Sequence, residues 1–125
     1  MTAPRITLSA TVLGAVDAQA LGDFYRRLLG WDVVADEPGW FMLRPPGGGN
    51  GLSFQDEPGH VPPTWPASPG DQQMMVHLDL RADDLEAAVA HALAEGAVLT
   101  EHQPQDDVRV LLDPAGHPFC LFQPS

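Results

Sequence analysis

Asp113–Gln123 reads DPAGHPFCLFQ and Pro45–Gln55 reads PPGGGNGLSFQ. Each is a proline, a glycine-bearing turn, and a short apolar strand ending Phe-Gln, so the chain carries an internal repeat. The one cysteine, Cys120, stands in the second copy where this alignment gives the first copy Leu52. What surrounds each copy decides the fold.

Upstream of the first copy, Thr7–Val16 is rich in apolar and β-branched residues and predicts a strand. Asp17 follows at a helix N-cap position, and Leu21, Phe24, Tyr25, Leu28 and Leu29 then recur with helical spacing up to Gly30, a helix terminator. WDVVADE and GWFMLRP read as two strands joined at Glu37-Pro38-Gly39, and the GGGN turn leads into LSFQ. The order is β-α-β-β-β. Upstream of the second copy the order returns: MMVHLDLR as a strand, Asp83 or Asp84 capping a helix with the buried stripe Leu85, Val89, Ala92 and Leu93, Gly96 ending it, then AVLTEH, VRVLLD and FCLFQ. The first module spans about 5–56, the second about 74–124, and the proline-rich stretch between them, about 57–73, reads as a linker.

The 125 residues amount to one domain's length, with 44% hydrophobic and 18% charged side chains. No apolar run is long enough to cross a membrane, and the weakly cationic N-terminus runs into strand pattern rather than a secretory signal. A single cysteine excludes an internal disulfide and fits a reducing, cytoplasmic setting. The formal charge of −11 is uneven: residues 1–62 carry four basic and seven acidic side chains, the remainder two and ten. That surface is a poor nucleic-acid partner and favours cations over anions, or simply aids solubility.

The pieces DFYRRLLGW, HLDLRADDLEAAVAHALAEGA and DPAGHPFCLFQP, set in this tandem βαβββ order, resemble the vicinal oxygen chelate superfamily of glyoxalases, bleomycin-resistance proteins, fosfomycin-modifying enzymes and extradiol dioxygenases. The resemblance implies an α+β fold in which two tandem βαβββ modules form curved mixed sheets around a ligand cavity, helices outside, and it implies a homodimer. It also implies metal ligands on the first and last strands of each module. These positions fall on His77 and Cys120 in the second module and on Ala10 (Thr11 with a one-residue slip) and Leu52 in the first. His77 is the only retained family-type ligand, and Cys120 stands where a carboxylate is usual. The expectation is therefore no metal and no other cofactor.

Strand alternation assigns the remaining candidates. His77, Asp79 and Arg81 share one face and point to the cavity, while Val76, Leu78 and Leu80 pack under the helix. Cys120, Phe122, Leu52 and Phe54 face the cavity by the same rule, with Trp40 and Trp65 at its wall or rim. Trp65 is either a lid or a staple for the linker. His77 is a candidate general base or a hydrogen-bonded structural histidine, and Asp79 and Arg81 either bind ligand or pair with each other or with Arg109. Cys120 is either a nucleophile activated by His77 or a small buried apolar group. His117 sits in a tight turn, His91 on a solvated helix face, and His60 and His102 in or near loops without ligand spacing.

Two functions fit. One is a metal-independent protein that binds or sequesters a partly apolar organic compound, as bleomycin-resistance proteins do. The other is a glyoxalase-like lyase, isomerase or dioxygenase using His77 with an atypical metal or as a base.

Overall fold

In the computed structural model, which describes residues 3–124, the repeat appears as two compact units, Met1–Pro58 and Gly59–Ser125. The proline-rich linker from Gly59 onward therefore belongs with the second unit. The first contains β1 (Ala10–Ala15), α1 (Ala18–Leu29), β2 (Asp32–Glu37), β3 (Trp40–Arg44) and β4 (Gly51–Asp56), with sheet order β1-β4-β3-β2. The second repeats it with β5 (Leu78–Arg81), α2 (Leu85–Glu95), β6 (Val98–Leu99), β7 (Val108–Leu112) and β8 (Pro118–Phe122), in the order β5-β8-β7-β6. In each mixed sheet the first and last strands run parallel and the other neighbours antiparallel. This is the α+β, tandem βαβββ arrangement the sequence implies.

Both helices begin and end as their caps predict. Asp17 accepts a hydrogen bond from the Ala20 amide at 3.1 Å, and Asp84 does the same for Ala87 at 3.1 Å. Asp84, not Asp83, is thus the second cap, and α2 is a residue shorter than α1. Gly30 and Gly96 close the helices at φ of 71° and 116°, a left-handed conformation in which a Cβ would be strained.

The first module has the stronger helix–sheet core. Leu21, Phe24 and Tyr25 of α1 are fully buried, and Tyr25 stacks on Phe54 of β4 with centroids 5.6 Å apart. Full burial of side chains this size contributes roughly 1.5–3 kcal/mol each. The stack corrects one expectation: Leu52 and Phe54 lie under α1, not toward a cavity. Phe41 and Leu43 stand beside them in the β3–β4 register, so that face is the core. Trp40 alternates away from Phe41 and is half-buried.

The second module departs from expectation in three places. Strand β5 begins at Leu78 rather than Met74, leaving Met75 and Val76 78% and 59% exposed, so Val76 does not pack under the helix. Likewise β1 starts at Ala10 rather than Thr7. In α2 only Ala92 is fully buried, and Leu93, expected in the buried stripe, is 43% exposed. β6 is only two residues long at the sheet margin.

Candidate functional site

The β5–β8 register places Asp79 beside Cys120 and Arg81 beside Phe122, while Leu78 and Leu80 neighbour Phe119 and Leu121. Phe119 and Leu121 are buried on the helix-facing side, so Asp79, Cys120 and Phe122 occupy the opposite face. Strand β7 adds Val110 beside Cys120 and Val108 beside Phe122. His77, the residue before β5, joins them: its Nε2 lies 3.0 Å from Asp79 Oδ1. With a carboxylate as acceptor, Nε2 is the nitrogen that donates.

The linker completes the wall. Trp65 stacks on His77 with centroids 5.0 Å apart and planes at 26°, and meets His102 edge-on at 5.7 Å. Upstream, His60 Nε2 is 2.8 Å from the Ala115 carbonyl oxygen, and its ring lies 4.8 Å from His117. A Thr64–Gln73 bridge closes the loop that carries Trp65. In this structure Trp65 is packed against His77 and His102. His60 and His102, which lack ligand spacing in the sequence, contact the elements around this segment and its indole.

These residues surround a pocket of about 610 Å³ lying entirely within the second unit. That is within the usual range for small-molecule sites. Of the sequence candidates it brings together Trp65, His77, Asp79, Cys120 and Phe122. Leu52, Phe54, Trp40 and Arg81 are not in its lining. The lining residues that sequence reasoning missed are chiefly Asp107, Val108 and Val110. The period of two in VRVLLD put the valines on one face, but only the β7–β8 register says which.

Cys120 is 4% exposed, and its thiol is pushed up to about 11, first by burial and then by the adjacent Asp79 charge and hydrogen bond. At neutral pH it is a thiol rather than a thiolate, which argues against a nucleophile. The register also revises its counterpart. Leu13 pairs with Phe54 and Leu80 with Leu121, each four residues before the helix cap, so Cys120 corresponds to Ser53 and Phe122 to Gln55. The Pro-to-Gln alignment is out of step by one residue, and Leu52 corresponds to Phe119.

His77, Asp79 and Cys120 present donor atoms within 4.8 Å of one another. They do not form the family's donor set. All three come from the second module, and the first-module counterparts are Ala10, with no donor, and Ser53, a neutral hydroxyl. Within the trio the Asp79 carboxylate already faces His77, and a thiol raised to about 11 must also lose its proton to bind an ion.

Tandem βαβββ modules of this strand order define a protein of the vicinal oxygen chelate superfamily. A family model described as a glyoxalase-like domain matches residues 10–122, and the chain belongs to that family. Its structure is similar to that of TnmS3, an antibiotic binding protein from Streptomyces sp. CB03234 (25% identity, 99% of this chain and 100% of that one, TM-score 0.67). It is also similar to a glyoxalase/bleomycin resistance protein/dioxygenase family enzyme from Burkholderia phytofirmans PsJN (19% identity, 94% and 98% covered, TM-score 0.71). A third likeness is to a glyoxalase/bleomycin resistance protein from Streptomyces sp. CB03234 (25% identity, 94% and 100% covered, TM-score 0.58). No curated protein sequence matches the chain.

Proposed function

We propose that this protein binds, and by binding sequesters, a small and partly apolar organic compound without the help of a metal ion. The observation that carries this reading is the pocket walled by Trp65, Val108, Val110 and Phe122, with polar groups confined to a few points. A tryptophan held in place by His77 and His102 presents a flat apolar surface at little entropic cost. The likeness to an antibiotic binding protein supports binding rather than turnover. The protonated Cys120 and the donor-poor first module support independence from metal.

The test combines ligand screening with elemental analysis. Protein purified without chelator should contain well under one equivalent of divalent metal, and planar organic compounds should raise its melting temperature without being consumed. Stoichiometric zinc, nickel, iron or manganese that disappears in His77→Ala would overturn the metal-independent reading.

The His77–Asp79 pair favours a second reading, in which a carboxylate-oriented imidazole acts as general base in a glyoxalase-like reaction. Turnover of a stabilising compound, abolished by His77→Ala with binding retained, would establish it.

A further inference from the structure

The charged groups around this pocket are of one sign. Two carboxylates, Asp79 and Asp107, line it, and no arginine or lysine does so among the described residues. Two arginines are nearby, and neither is among the lining residues. Arg81 follows Asp79 by two residues but is not in the lining, and Arg109 Nη1 is within hydrogen-bond distance of the Gln105, Asp106 and Val108 carbonyl oxygens. His77 is charged only when protonated. The Asp79 side chain is 62% exposed, so its carboxylate has acceptor positions beyond the one facing His77.

Building on the small-molecule reading above, we propose that the pocket selects planar organic cations, with the ring system against Trp65 and the cationic nitrogen donating to Asp79, Asp107 sharing the positive charge. Three independent features converge on that class. An indole face attracts a cation beyond its apolar contact. A carboxylate accepts a charge-assisted hydrogen bond from a protonated nitrogen. Without a basic residue in the lining, an anionic ligand would meet uncompensated repulsion at short range, where solvent screens least. The Cys120 thiol reports the same local field, since the Asp79 charge opposes its ionisation.

The experiment uses the full chain and three tricyclic probes of similar size: proflavine (cationic), acridone (neutral) and acridine carboxylate (anionic), titrated calorimetrically at one ionic strength. Proflavine should bind about tenfold or more tighter than acridone, with the carboxylate weakest. Asp79→Asn and Asp107→Asn should each weaken proflavine several-fold, and Asp79→Glu should restore part of the loss. Asp32→Asn removes the same formal charge from β2 of the other module and should leave proflavine affinity unchanged, which separates the pocket from the overall negative field. Melting curves establish that each variant is folded. Equal affinities for proflavine and acridone, a preference for the carboxylate, or an equal loss in Asp32→Asn would overturn the cation proposal while leaving small-molecule binding in place. If none of the three probes binds, both readings fall.

Discussion

Trp65 lies face to face with His77 at a centroid separation of 5.0 Å, so a residue of the proline-rich segment is fixed against the polar corner of the pocket. The stack has a direct consequence for binding. Trp65→Ala should lower affinity for a planar ligand by about three- to tenfold, the range expected for an aromatic pair, while Trp65→Phe should keep most of it. Calorimetric titration of the two variants checks this. Unchanged affinity in Trp65→Ala would mean that the indole only staples the linker.

Cys120 should be slow to react with a small thiol reagent at neutral pH in the native state and fast after denaturation. Its folded-state pKa, about 11, is above the model value of 9.0, so burial favours the protonated form. The stability this contributes is fully present below pH 9.0 and is lost as pH rises toward about 11. Melting temperatures across that alkaline window should therefore fall more steeply for the native protein than for Cys120→Ala. Rapid native-state labelling with a midpoint below about 8.5 would instead reveal an activated thiolate.

Gly22 should not tolerate even a methyl group. A Cβ there would overlap the Phe41 ring, and Phe41 is 5% exposed, within the helix–sheet core. Gly22→Ala would gain helix propensity worth up to about 1 kcal/mol, but overpacking of this kind costs roughly 1–3 kcal/mol. The clash should win, and denaturant melts should show net destabilisation. A more stable variant would mean that α1 slides over β3 without penalty.

Each four-stranded sheet ends in strands paired on one side, β1 and β2 in one and β5 and β6 in the other. Such margins, with Val33, Val34, Val98 and Leu99 exposed along them, favour association. The expected assembly is a symmetric homodimer. Sedimentation that stays monomeric at high micromolar concentration would refute it.

The repeat was legible because its signals are local. Asp17 and Gly30 bracket one apolar helical stripe, Asp84 and Gly96 bracket another, and a turn precedes each closing strand. Caps, helical period and turn residues act over a few positions and need no distant partner to be read. The same order put His77 and Asp79 on the first strand-like segment and Cys120 on the last strand of one module, as the family resemblance implies for His77 and Cys120.

Facing was not local. A strand's period of two yields two sets of side chains without saying which is core, and a slip of one residue exchanges them. Phe54 and Phe122 both precede glutamine in the repeat, yet Tyr25 of α1 stacks on the former while the latter lines the pocket. Pairing across the sheets, Leu13 with Phe54 and Leu80 with Leu121, decided that the two are not equivalent. Only the folded chain could also bring Trp65 to His77 and Asp107 to the same pocket as Asp79. These contacts join segments distant along the chain, and strand register and loop closure, which no local pattern encodes, create them.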